Sequence, residues 1–131
     1  METLKKRAEF LAVSKGGRIG RRAFLIQGLA RKGAAQSRVG YTVTKKTGNS
    51  VVRSRIKRRL RAVVAALDPK EVPTEADFVI VARQDALTAP FPKMIADLKS
   101  GLVQVLDPRT PRGPRRPQKR TSRSQSSKKQ R

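Results

Sequence analysis

Between Lys45 and Arg61 the chain carries eight basic residues (Lys45, Lys46, Arg53, Arg55, Lys57, Arg58, Arg59 and Arg61) and no carboxylate. Asn49 or Ser50 can cap a helix start there, and Asp68-Pro69 ends it. At about 100° per residue, Val52, Ile56, Leu60, Val63, Val64 and Leu67 fall on one apolar face. Arg53, Lys57 and Arg61 form an i, i+4, i+8 ridge beside that face. Ser54 and Arg58 lie just beyond the ridge, while Arg55 and Arg59 project from the opposite flank. Solvated basic helices usually intersperse glutamate, because like charges at i, i+4 cost stability. A polyanion removes that cost, so the block fits a phosphate-binding surface, with the backbone N–H groups of the helix start facing any phosphate that docks there.

The rest of the composition excludes most alternatives. The chain has 131 residues, 32 Lys+Arg against 9 Asp+Glu, and no His, Cys or Trp, for a net charge of +23. Without cysteine there is no disulfide scaffold, thiol nucleophile or Cys-built zinc site. Without histidine the commonest general base is missing, and Ser-His or Cys-His triads are impossible. No catalytic residue is therefore assigned to the protein, and no protein-bound metal. No apolar run reaches the roughly 18–20 residues needed to span a bilayer, and Met1 to Phe10 does not read as a signal peptide. The expectation is a soluble, cytoplasmic, RNA- or DNA-binding protein with no membrane association and no obligate protein partner.

The charge is unevenly placed. Residues 108–131 hold ten basic residues, four of the chain's prolines, and no acidic or hydrophobic residue. Such a segment has nothing to bury and reads as a disordered basic arm. Residues 1–107 keep 22 basic and 9 acidic residues, a net +13, with all the apolar content, and form one domain.

Within that domain Leu4, Ala8, Leu11 and Ala12 recur at helical spacing, and Gly16-Gly17 stops the helix. Ala23 to Leu29 alternates, with Phe24 and Ile26 on one face and Leu25 and Gln27 on the other. Val39, Tyr41 and Val43 alternate with Gly40, Thr42 and Thr44. Phe78 to Ala82 is a continuous apolar run that fits a strand buried on both sides. Phe91, Ile95, Leu98, Leu102 and Val105 or Leu106 mark a final amphipathic helix.

The string KKTGNSVVRSRIKRRLR resembles the signature of the bacterial ribonuclease P protein subunit, in which two lysines precede Gly-Asn, Arg-Asn-Arg, Lys-Arg and a further Arg. The likeness extends over roughly residues 4–106, through Phe10, the Phe24 strand, Arg38-Val39-Gly40 and Phe78 to Arg83. It implies an α+β domain of order α-β-β-β-α-β-α, similar to the second domain of ribosomal protein S5, with the basic helix in a left-handed β-α-β crossover. That handedness comes from the resemblance alone, since right-handed is the usual outcome. The third strand is expected within Val39 to Lys46 or just before it.

The resemblance also implies a function. The protein is a subunit of an endoribonuclease holoenzyme in which an RNA, with magnesium ions it holds itself, removes the 5′ leader of precursor tRNA. Arg53, Arg55, Lys57, Arg58 and Arg61 would dock on that RNA, flanked by Lys45, Lys46 and Asn49. A cleft carrying Phe10, Leu25, Gln27, Thr42, Thr44, Arg53 and Ser54 would bind the leader. Aromatic stacking on unpaired bases is worth roughly 1–3 kcal/mol per base. Here Ser54 replaces the central Asn of the signature, and Ser14 and Gln27 stand where relatives often carry aromatics. Stacking is therefore expected to give way to charge. The competing class is a structural ribosomal or nucleoid RNA binder with no role in cleavage; the Lys45–Arg61 spacing favours the first.

Three weaker signals have plain readings. Gly17-Arg18-Ile19-Gly20 matches a GXXG loop but reads as a turn, because it joins a helix to a strand rather than two helices. The carboxylates Asp68, Glu71, Glu75, Asp77, Asp85, Asp97 and Asp107 read as caps and solubilising groups. Phe24, Phe78 and Phe91 read as core.

Overall fold

The computed structural model describes residues 2–33 and 36–110. The elements run β1 (Glu2–Thr3), α1 (Arg7–Ser14), β2 (Gly17–Gly20), β3 (Phe24–Ala30), β4 (Arg38–Thr42), α2 (Ser50–Ala65), β5 (Ala76–Ala82) and α3 (Phe91–Gln104). Short 3-10 turns occupy Lys45–Thr47, Pro69–Glu71 and Gln84–Leu87. One sheet has the order β1-β4-β5-β3-β2, with β1–β4 and β4–β5 parallel and β5–β3 and β3–β2 antiparallel. The expected α+β class and element order hold, preceded by the two-residue β1. The α2 helix connects the adjacent parallel strands β4 and β5.

The apolar run of the fifth strand puts it in the middle of the sheet, covered on both faces. Phe24, Ile26, Phe78 and Ile80 face α2 and α3 and are fully buried against Ile56, Leu60 and Val63 of α2 and Met94, Leu98 and Leu102 of α3. The opposite face is thinner: Val79 packs with Leu4 and Val13, flanked by the half-buried Phe10, Leu29 and Val81. Phe91 is only half-buried, at the rim of the larger core.

Two expectations are corrected. The third strand, expected within Val39 to Lys46 or just before it, is instead the stretch read as a turn, Gly17–Gly20, which pairs antiparallel with β3 from Gly17 opposite Gly28 to Gly20 opposite Leu25. Its glycines are there for close approach: a methyl on Gly16 would collide with the Gly28 carbonyl, and one on Gly17 with the Val105 carbonyl. The first helix also buries a different face. Leu4 lies before it, Ala8, Leu11 and Ala12 are exposed, and Val13 is the buried residue, with Phe10 half-buried beside it. Of the arm expected over 108–131, Pro108–Thr110 form a turn in which Asp107 pairs with Arg109 at 3.0 Å; the rest lies outside the described residues. Among the described residues no helix is long and apolar enough to cross a membrane.

Candidate nucleic-acid interface

Asn49 starts α2 by accepting a hydrogen bond from the Val52 N–H on its Oδ1 at 2.9 Å, so this side chain serves first as the N-cap. The buried stripe Ile56, Leu60 and Val63 then fixes the helix on the core, with Val52 and Val64 half-buried alongside. That anchoring leaves Arg55, Lys57, Arg58 and Arg61 exposed on the outside, with Lys45 and Lys46 exposed in the turn before the cap. Among the described residues, none of the eight basic residues of the block forms an ion pair. The carboxylates of Glu9, Glu71, Asp77, Asp85, Asp97 and Asp107 are instead paired elsewhere.

Arg59 behaves differently from its neighbours and corrects the expectation that it projects freely. It is partly buried, donates from Nε to the Ala86 carbonyl at 2.9 Å and from its terminal nitrogen to the Ala89 carbonyl, and holds its guanidinium 5.8 Å from the centre of the Phe91 ring. It ties α2 to the segment leading into α3. Arg59→Ala is expected to cost about 1–3 kcal/mol of stability in a denaturation experiment. The salt dependence of RNA binding should stay unchanged, because no free phosphate ligand is lost.

Of the expected cleft residues, Phe10, Thr42, Arg53 and Ser54 line two neighbouring hollows that share Thr42, whereas Leu25 and Gln27 lie on the α1 face of the sheet and line neither. Phe10 lies over Gly40 so closely that a methyl there would sit 2.6 Å from two ring carbons. Phe10 and Thr42 line one hollow with Lys5, Arg7 and Leu11; Leu11 is 53% exposed. Thr42 also lines the next hollow, at the β4 edge, with Tyr41, Val43, Arg53, Ser54 and Lys57. Arg53 is half-buried there. Burial pushes the Tyr41 phenol up, and the Arg61 charge pulls part of that back.

Register places Thr42 opposite Val81 and Val81 opposite Leu25, so these three half-buried residues form a row across the sheet. Gln27 lies one row further, opposite Val79. Thr44 is exposed beyond the strand, where its carbonyl accepts the Thr47 N–H at 3.1 Å, and it lines neither hollow. Lys5, Arg7 and Leu11 escaped the sequence reading; the apolar spacing assigned Leu11 to the buried side, and nothing marked the two cations.

A charged network unforeseen from sequence holds this face together. Asp77, expected at a turn or cap, is instead buried in β5. Arg38 grips it twice, Nε to Oδ1 at 2.9 Å and a terminal nitrogen to Oδ2 at 2.7 Å, and Arg31 adds a contact at 3.1 Å. The other terminal nitrogen of Arg38 reaches Glu9 Oε2 at 2.6 Å, while Glu9 Oε1 accepts the N–H groups of Lys5 and Lys6. Arg38 thus joins the first turn of α1, which carries Phe10, to the central strand. Burial pushes the Asp77 carboxyl up, but the hydrogen bonds and charges of Arg38 and Arg31 outweigh it and hold the group below its ordinary range. Glu9 is held low chiefly by the backbone N–H groups of Lys6 and Lys5.

An α+β domain that presents a basic helix, without ion pairs among the described residues, beside two half-polar hollows has the build of a nucleic-acid-binding protein. The comparisons with known proteins define it further. The family model for Ribonuclease P matches residues 1–106, and the chain belongs to that family. It is 40% identical over 100 residues to the ribonuclease P protein component of Gluconacetobacter diazotrophicus, covering 76% of this chain and 86% of that one. The counterpart from Bartonella quintana is 44% identical over 101 residues, covering 72% and 76%. The solved structure of the Staphylococcus aureus RNase P protein superposes with a TM-score of 0.65 at 28% identity, covering 82% of this chain and 99% of that one.

Proposed function

We propose that this protein is the RNA-docking and leader-binding subunit of a ribonuclease P holoenzyme. Lys45, Lys46, Arg53, Arg55, Lys57, Arg58 and Arg61 dock on the catalytic RNA, with Asn49 ordering the helix start among them. The trough from Phe10 and Thr42 to Leu25 and Gln27, with Arg53 and Ser54 at its edge, holds the 5′ leader of precursor tRNA. The RNA hydrolyses the phosphodiester bond and holds the magnesium. The same reading takes the fold to resemble the second domain of ribosomal protein S5, the β4-α2-β5 crossover to be left-handed, the domain to end at residue 107 with a disordered basic arm at 108–131, and the protein to be cytoplasmic.

One observation carries the reading: seven cations, none in an ion pair among the described residues, stand on and before a helix anchored by its opposite face. Protein mixed with a bacterial ribonuclease P RNA and a leader-bearing precursor tRNA at low magnesium should stimulate cleavage at the mature 5′ end. Absence of stimulation would overturn the reading. Within the trough, Phe10→Ala should weaken leader binding by about 1–2 kcal/mol in a titration, one base stack, leaving a clear salt dependence. Collapse of leader affinity on this single change, with little salt dependence, would contradict the charge-weighted trough.

A further inference from the structure

Only two buried side-chain polar atoms among the described residues lack a hydrogen-bond partner, and both are arginine Nε atoms, of Arg53 and Arg18. Buried donors are nearly always satisfied, so an orphaned one calls for a ligand or another specific cause. Arg53 lines the hollow at the β4 edge beside Thr42. Arg18 stands in β2 directly opposite Gln27, and paired residues project from the same sheet face, here the α1 face of the trough. Arg18 therefore stands on that face and Arg53 on α2 at its β4 end, with β4, β5, β3 and β2 crossed in turn from one to the other. Three strand intervals of about 4.8 Å make that crossing roughly 14 Å.

We propose that Arg18 is a second phosphate anchor for the single-stranded leader, at the end of the trough away from the basic helix. This rests on the leader-binding reading above and extends it: a strand entering beside Arg53 passes over Thr42, Val81 and Leu25 and leaves a backbone phosphate on Arg18. Gln27, opposite Arg18, supplies an amide at the same point. An arginine suits this role, since its two terminal nitrogens can donate together to one phosphate.

The test uses holoenzyme reconstituted with the full chain and precursor tRNAs whose leaders grow one nucleotide at a time. Wild-type protein should gain affinity in steps as the leader lengthens. Arg18→Met should remove one late step, roughly tenfold in affinity, flatten the salt slope for the long leader by about 0.7 unit, and leave the shortest leaders unaffected. Arg18→Lys should restore the slope and part of the step. A step that survives in Arg18→Met overturns the proposal, as does an equal loss at every leader length. Wild-type affinity independent of leader length, with cleavage still stimulated, overturns the trough itself and the anchor with it. On unmodified protein, a photoreactive nucleotide at the late step should crosslink to Gly17–Gly20; crosslinks found only elsewhere would also overturn it.

Discussion

Asp77→Ala is expected to lower folding stability by about 2–4 kcal/mol and the melting temperature by on the order of 10 °C. The carboxylate side chain is only 6% exposed, and its removal strands two guanidinium groups that were built around it. Arg38 is 22% exposed and Arg31 38%, so both partly rehydrate, which places the loss below that of a fully buried pair. The folded carboxyl titrates below its unfolded value of about 4, so its contribution is complete above that pH and is lost as pH falls through the folded value. Glu9 shifts the same way and adds to the effect on the same acid side. Melting curves of wild type and Asp77→Ala should therefore converge below about pH 4 and stay apart at neutral pH. A constant gap across that range would show that Asp77 acts through packing rather than through its charge. The variant should also weaken leader binding, because Arg38 loses the anchor that holds Glu9 and, one residue on, Phe10.

Legibility from sequence followed the range of the interactions involved. The basic helix and its core stripe Ile56, Leu60 and Val63 could be read, with the cap narrowed to Asn49 or Ser50, because cap and apolar period are local. β5 was legible for the same reason: a run of β-branched and aromatic residues names a central strand without reference to its neighbours. β2 was not, since Gly17–Gly20 carries no strand-forming side-chain pattern and is a strand through the backbones it approaches, that of Gly28 in the next strand and that of Val105 far along the chain. The helical period misplaced the buried face of α1 because Leu4 belongs to the chain before the helix and packs there on Val79. Asp77 did carry a signal, a charge at an inward position of an otherwise apolar strand. Its partners, 39 and 46 residues away, did not follow from any spacing. Arg59 shows the limit of the helical wheel: the angle put it on the flank opposite the ridge, but only the fold supplies the Ala86 and Ala89 carbonyls that tie it down there.

Changing Arg53, Lys57 and Arg61 together to alanine should flatten the log–log salt dependence of RNA binding by about three units, from an expected −4 to −5 for about five neutralised phosphates. The three residues form one ridge, and none has a carboxylate to release when RNA docks, so each contact is a net counterion gain. Relaxing like-charge repulsion at i, i+4 should leave the free protein as stable as wild type or slightly more so. The opposite signs are the diagnostic: a structural role for the ridge would lower stability and affinity together. At 50 mM salt the variant should bind far more weakly than wild type, and by 200 mM the two should draw closer, since the wild type has more counterion release to lose. Arg59→Ala is the internal control, with stability lowered and slope preserved. If the triple variant keeps the wild-type slope, the phosphates lie on another surface, and the docking face would have to be sought among the cations around α1.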